Sequence, residues 1–346
     1  MFGNYQEEKI KNRKEREEYK LGLDAFLSMA QRKAQGKRED FFSPENYKNN
    51  PSSFRELYKK TLGFPLTENA QTPKLLSKTF VAQECGVYIY RMQLQFFDCV
   101  PFYGLYFEQT ENAKNAPFVF VCHGGAGTPE VISGIDGQTW NYNELAFRVI
   151  KRGANAFLPQ FMLWNMEEYG TEYNRLYADG KLRQLGGSMT ALELYFLRGA
   201  LDYFIENGMV NQDKIGVAGL SYGGMYALHF SALDERVKAC YSCSWVADGF
   251  DYSWADWSYF NAQNAVSTVE TLALVCPRAL VVGMGEHDEL FDWKKTKESC
   301  EKAKAFYRAF GVEENLKVCI FNGGHEADCS EEEIDFLFKN LEGIRE

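Results

Sequence analysis

The chain reads as an α/β protein: a mostly parallel sheet with helices on both faces, preceded by a helical N-terminal arm. Three observations predict this. From about Lys78 short apolar runs alternate with longer helix-like segments, the order expected of repeated strand and helix units. PFVFVC and ANAFLP are apolar throughout, as strands buried on both faces are. Finally, GLSYGG (219–224) sits where the apolar run KIGVAG gives way to a helix-like one.

Residues 1–75 form the arm, a compositionally distinct stretch of mixed charge. Apolar residues at Leu21, Leu23, Phe26, Leu27 and Met29 suggest short helices there, packed on the main domain, capping a pocket or supporting a homo-oligomer interface. The catalytic domain is expected over 76–346. TFVAQECGVYIYRMQL and FYGLYFEQ alternate and predict an antiparallel start to the sheet. NYNELAFRVIKRG is the helix between the two buried strands. A second helix is expected from about Ser188 to Asn207, with Leu192, Tyr195, Phe196, Gly199 and Tyr203 on one face and Gly208 as its stop. Then follow KIGVAG, the helix after Ser221, VKACYSC, RALVVGM, a helix near 294–310, LKVCIF, and a last helix from about Ser330 to Leu341.

Composition narrows the function classes. The 346 residues are 45% hydrophobic and 15% aromatic, enough for a large core, and the formal net charge of -10 argues against a nucleic-acid partner. Nine scattered cysteines, several inside apolar runs, suit reduced thiols and a cytoplasmic protein. Cys240 and Cys243 form a C-x-x-C, but within a strand and with no second pair nearby, so no metal site is expected. The charged N-terminus has no apolar h-region, and no apolar run approaches the ~20 residues that span a bilayer, so no membrane partner is expected.

Reactive groups in such a sheet collect at the carboxyl ends of strands. Ser221 lies between Gly219 and Gly223 at a strand-to-helix turn, where side chains at the flanking positions would collide with neighbouring backbone. It is the candidate nucleophile. His123–Gly127 follows PFVFV, and its glycines would let backbone N–H groups approach a developing oxyanion. A nucleophilic serine needs a base, and the base needs an acid to orient it. Asp288, after ALVVGM, is the preferred acid, with Asp292, Glu286, Asp248 and Asp251 as rivals. Of four histidines, His123 belongs to the glycine turn, His229 lies within the helix after Ser221, and His287 adjoins the acid candidate. His325, in a glycine-flanked loop after the last strand, is left as the base.

Together HGGAG, GLSYGG, GEHDELF and GGHE resemble the α/β-hydrolase superfamily, in the branch containing acetyl xylan esterase-like, dienelactone hydrolase-like and acyl-peptidase-like enzymes. The resemblance covers roughly residues 80–343 and implies the α/β-hydrolase fold. It also implies Ser221 as nucleophile, His325 as general base and then acid, and Asp288 as its partner. The backbone N–H groups of Gly125 and Tyr222 would form the oxyanion hole. Dienelactone hydrolases carry cysteine where this chain has Ser221, and the branch's peptidases usually bring a β-propeller that a 75-residue arm cannot build.

The implied activity is hydrolysis of a carboxylic ester without metal or organic cofactor. A peptidase or amidase, or hydrolysis of a carbon-carbon bond, could use the same triad; a fold that binds without turnover is the non-enzyme alternative. Aromatic-rich insertions near 160–180 and 244–265 would stand above the site, with Trp164 and Trp245 as pocket candidates. Such rings suit a carbohydrate or aryl ester. Arg175 and Arg183 are candidate anchors for a peptide terminus, or else plain surface charges.

Overall fold

A computed structural model of the chain describes residues 7–66, 72–164, 172–252 and 254–342. The arm folds as α1 (Arg13–Phe41), α2 (Pro44–Asn49) and α3 (Pro51–Leu62). Three antiparallel strands follow: β1 (Lys74–Glu84), β2 (Val87–Phe96) and β3 (Val100–Gln109). The wound part runs β4 (Phe118–Cys122), α4 (Pro129–Ser133), α5 (Leu145–Lys151), β5 (Asn155–Pro159), α6 (Arg175–Gln184), α7 (Met189–Glu206), β6 (Ile215–Leu220) and α8 (Tyr222–Leu233). It ends with β7 (Ala239–Cys243), α9 (Ala262–Ala265), α10 (Thr268–Val275), β8 (Ala279–Gly285), α11 (Trp293–Phe310), β9 (Leu316–Phe321) and α12 (Glu332–Glu342).

These strands form one nine-stranded sheet in the order β1-β2-β3-β5-β4-β6-β7-β8-β9. From β5 to β9 every pairing is parallel, and β3 joins β5 antiparallel. The fold class expected from the sequence is therefore the one observed. Alternate residues of the central strands feed two cores. Phe118 and Phe120 of β4 and Val217 of β6 pack against α7, α8 and the arm. Val119, Val121 and Ala218 face the layer of α5 and α12. That two-sided burial explains why these strands read as continuous apolar runs.

The arm differs from the expectation in three ways. Its first helix is one 29-residue element rather than several short ones. Every residue from 7 to 30 is exposed, including Leu21, Leu23, Phe26, Leu27 and Met29, and the body first seats the helix at Ala34 and Arg38. The break placed at 75 falls inside β1, and Phe42, Tyr47, Phe54, Tyr58 and Leu62 share the main core, so α2 and α3 are integral to the wound domain. Arg38 pairs with Glu270 at 2.9 Å, and Tyr47 Oη donates to Cys276 O at 2.9 Å.

In α7 the capping serine is Ser188, whose side chain accepts from Ala191 N. Of the expected face Phe196 and Gly199 are buried and Leu192, Tyr195 and Tyr203 are half-buried; the buried face also takes in Leu194, Leu197, Leu201 and Phe204. All nine cysteines are free thiols; Cys240 and Cys243 are both buried in β7. No helix among the described residues is long and apolar enough to cross a membrane.

Candidate active site

Ser221 stands between β6 and α8 with φ 59° and ψ -123°, a conformation that costs an L-residue energy and persists only where surroundings enforce it. The enforcement is steric and visible. A Cβ on Gly219 would lie 2.3 Å from Gly223 O, one on Gly223 1.9 Å from Cys122 O, and one on Gly224 2.4 Å from Cys243 O. Glycine at all three positions lets β4, β6 and β7 close around the turn, and Ser221 N donates to Cys243 O at 2.9 Å.

His325 and Asp288 meet in the loops after β9 and β8. His325 Nδ1 lies 2.9 Å from Asp288 Oδ2, and the Asp288 side chain is fully buried. The other carboxylate oxygen accepts from the N–H groups of Leu290 at 2.9 Å and Phe291 at 3.0 Å, so the acid is held at both ends. Asp288 is thus the acid that reaches His325. Asp292 instead caps α11, Asp251 pairs with Lys295, and Asp248 accepts from Gln263.

The His325 loop is brought to the elbow by main-chain contacts. Cys243, whose carbonyl holds Ser221 N, and Ser244 both approach Glu326 O at 3.3 Å through their side chains. Asn141 Nδ2 donates to His325 O at 2.9 Å, and the neighbouring Tyr142 hydroxyl accepts from Gly124 N at 2.8 Å. The 139–144 loop thereby ties the histidine loop to the glycine turn. Ser221 Oγ makes no hydrogen bond to His325 among the described residues; such contacts commonly tighten only when substrate binds.

The glycine turn packs directly on the elbow, since a Cβ on Gly124 would lie 3.3 Å from that of Ser221. Gly124 N is taken by Tyr142, whereas Gly125 N has no hydrogen-bond partner among the described residues. Tyr222 opens α8, where N–H groups have no carbonyl one turn back. Both candidate oxyanion donors are therefore spare. His123 fixes the turn from beneath. Its Nε2 accepts from Phe161 N at 3.0 Å, so Nδ1 carries the proton and donates to Gly124 O at 2.8 Å. Burial pushes this imidazole down to about 4, keeping it neutral.

The two pocket candidates separate. Trp164 reaches the site: its backbone N–H donates to Gly125 O at 3.0 Å, its ring covers Gly125, and it meets the Tyr222 ring edge-on at 6.1 Å. Trp245 is brought elsewhere. Its buried ring packs on His229 at 5.1 Å and Trp257 at 5.8 Å, leaving Trp254, Trp257 and Phe291 to fill the space between Tyr222 and His325. Part of the 160–180 insertion, residues 165–171, lies outside the described residues.

A buried charge cluster beneath Tyr222 escaped the sequence reading. Arg175 is neither a surface charge nor a free anchor: its guanidinium bonds Asp256 and Glu193, each at 2.8 Å, and Tyr226 Oη at 2.7 Å. Tyr222 Oη donates to the same Asp256 at 3.0 Å. Arg183 bonds Asp179 and the carbonyls of Ala255 and Ser258. Only the charge pattern of NRLYADGKLR was visible beforehand, and it reads as solvated.

Comparison with solved structures decides the architecture. A Bacteroides fragilis NCTC 9343 protein assigned as an acetyl xylan esterase superposes with a TM-score of 0.67 at 15% identity, covering 88% of this chain and 85% of its own. A glucuronoyl esterase from Solibacter usitatus superposes at 0.64 and 14% identity, covering 86% and 93%. The chain has the α/β-hydrolase fold. A glucuronoyl esterase from Caldicellulosiruptor kristjansonii superposes at 0.58 and 16% identity, covering 87% of each chain. In sequence, the chain is similar to YtaP of Bacillus subtilis (strain 168), assigned as a hydrolase, at 28% identity over 166 residues. That match spans 45% of this chain and 56% of the relative's length. No family model matches.

Proposed function

We propose that this α/β-hydrolase is a serine esterase acting on a carboxylic ester through a covalent acyl-enzyme. The observation that carries the reading is the Asp288–His325 pair, held at 2.9 Å in the loops next to a serine locked at positive φ. His325 Nε2 takes the proton of Ser221 Oγ as the oxygen bonds to the ester carbonyl carbon. The carbonyl electrons move onto oxygen, where the N–H groups of Gly125 and Tyr222 receive the negative charge. The tetrahedral intermediate then expels the alkoxide, which takes the proton from His325. Water, deprotonated by the same imidazole, attacks the acyl carbon and releases the acid and Ser221. Asp288 holds the tautomer with Nδ1 protonated, and stabilises the imidazolium between steps.

Carbohydrate and aryl esters are the favoured substrates. The neighbours of this fold include proteins named as acetyl xylan and glucuronoyl esterases, and Trp164 offers a half-exposed aromatic face beside Gly125. An ionic anchor for a peptide terminus is no longer offered by Arg175, whose charge is offset within the protein. The test is hydrolysis of matched 4-nitrophenyl acetate and acetyl 4-nitroanilide, with acetylated xylose and a methyl glucuronate ester alongside. Turnover of esters with negligible anilide cleavage is expected; equal cleavage of the anilide would replace the esterase reading with an amidase.

A further inference from the structure

The loop between α4 and α5 is strained where it passes the candidate active site. Trp140, Asn143 and Glu144 all take positive φ, at 46°, 47° and 58°. For a bulky residue such as tryptophan that conformation is an outlier, and it persists only where the surrounding structure enforces it. Burial does not account for it, since Trp140 stays 55% exposed. Backbone outliers of this kind cluster at functional sites, and the three residues enclosed here, Asn141 to Asn143, touch two separate parts of this one.

On one side Tyr142 holds the glycine turn. Its buried hydroxyl accepts from Gly124 N at 2.8 Å, and Gly127 has no room for a Cβ against it. Gly124 O accepts from His123 Nδ1 at 2.8 Å and from Gly127 N at 3.1 Å. The N–H of Gly125 belongs to the same peptide unit as Gly124 O and points the opposite way in a trans bond. With the groups on both sides of Gly124 fixed, the direction of the Gly125 N–H is fixed too.

On the other side the asparagines hold the loop that carries the base. Asn141 Nδ2 donates to His325 O at 2.9 Å, and Asn141 O accepts from Ala327 N at 2.8 Å. Asn143 Nδ2 donates to Ala327 O at 2.6 Å and to Glu326 Oε2 at 3.2 Å, while Glu326 Oε1 accepts from Gly324 N at 3.1 Å. The histidine loop is thereby gripped from Gly324 to Ala327.

We propose that Asn141, Tyr142 and Asn143 form a single positioning strap that sets the imidazole of His325 against the Gly125 N–H. The inference rests on the serine-esterase reading, in which those two groups serve the same reacting carbonyl. None of the three residues touches the reacting atoms; they act through the backbone of the two loops they hold. A misplacement of about 1 Å in either loop is enough to cost on the order of 10²-fold in rate. Because consecutive residues anchor both loops, a disturbance at one end of the strap is felt at the other.

Steady-state kinetics with 4-nitrophenyl acetate on the full chain test the strap. Asn141 is exposed, so Asn141→Ala should keep the parental melting temperature. Its kcat should fall about three- to tenfold, the loss of one hydrogen bond, with KM within about twofold of the parent's. Tyr142→Phe leaves Gly124 N without its acceptor, and kcat should fall roughly ten- to a hundredfold, short of what removing an oxyanion donor outright costs. A trifluoromethyl ketone forms with Ser221 an adduct whose oxyanion needs the Gly125 N–H, so its affinity should drop in Tyr142→Phe by the same factor as kcat/KM. A purely structural role would leave that proportion unmet. If the strap is one unit, the double variant loses less than the product of the two single losses. Parental kcat in Asn141→Ala, multiplicative losses in the double variant, or unchanged ketone affinity in Tyr142→Phe would each overturn the strap while leaving the esterase reading intact. A folded parent with no ester turnover would instead overturn that reading, and the strap with it.

Discussion

The loops after β6, β8 and β9 and the adjoining 244–265 insertion are neighbours, yet they are built on opposite terms. Around Ser221 nearly every polar group is matched. The acid is held by two N–H groups, the base by the acid, and the glycine turn by His123 and Tyr142. Among the described residues, those left spare are the reactive Ser221 Oγ and His325 Nε2 and the N–H groups suited to an oxyanion. Across Trp257 the arrangement inverts: three side-chain nitrogens are buried unpaired among a dense set of rings. The first region is ordered for chemistry by hydrogen bonds that side chains make to one another and to the main chain; the second is ordered by side-chain packing and leaves three nitrogens unpaired among the described residues.

The largest expected effect falls on the first region. Asp288→Asn keeps the shape of the acid but lets the imidazole take the wrong tautomer, so ester kcat should fall by about 10⁴-fold with little change in melting temperature. Steady-state kinetics with 4-nitrophenyl acetate measure it. A loss under tenfold would mean that the ordered region is not the reactive one.

Next in size is Arg175, which joins the two regions. Arg175→Met strands the Glu193 and Asp256 carboxylates in the interior and should cost about 3–5 kcal/mol in denaturant unfolding. Because Tyr222 Oη rests on Asp256, activity should fall as well. A neutral outcome would show the cluster to be dispensable to both.

A smaller effect sharpens the contrast from the first region's own edge. Glu333 is buried, its Oε1 lacks a partner among the described residues, and desolvation pushes its carboxyl up to about 7. The folded chain therefore holds this proton more tightly than the unfolded chain does. The resulting stability is complete below the unfolded carboxyl's ~4.5 and lost as pH rises through 7, on the order of 3 kcal/mol. His123 and His229, pushed down to about 4 and about 3, act oppositely and lose stability as pH falls below ~6.5. The difference between parent and Glu333→Gln isolates the first effect: unfolding free energies should favour the variant more at pH 8 than at pH 5. Parallel pH profiles would contradict it.

What the sequence disclosed follows the same division. The placement of Ser221, Asp288 and His325 was legible because each stands at a strand end, and because the glycines around them answer to steric limits acting over a few residues. The parallel sheet was legible from its continuous apolar strands. Arg175 was not, since its partners Glu193 and Asp256 lie 18 and 81 residues away, and a lone arginine among charges looks solvated. Trp245 was placed in the pocket because its segment leaves β7 near the site; the chain carries its ring to His229 instead, a turn set by packing alone. The α7 face was misaligned for a related reason. Its helix is sandwiched, so apolar residues fall on more than one side and the spacing does not single out the buried stripe. α1 runs unbroken through Gly22 and Gly36, each of which weakens a helix interior by about 1 kcal/mol without ending it.

The central claim is that the strained Ser221 is an activated nucleophile. Intact-mass measurement after exposure to a fluorophosphonate tests it most directly, with Ser221→Ala and His325→Ala beside the parent. The account predicts a single adduct on the parent and none on either variant. An unlabelled parent that is fully folded, or an adduct that survives in Ser221→Ala, would contradict it.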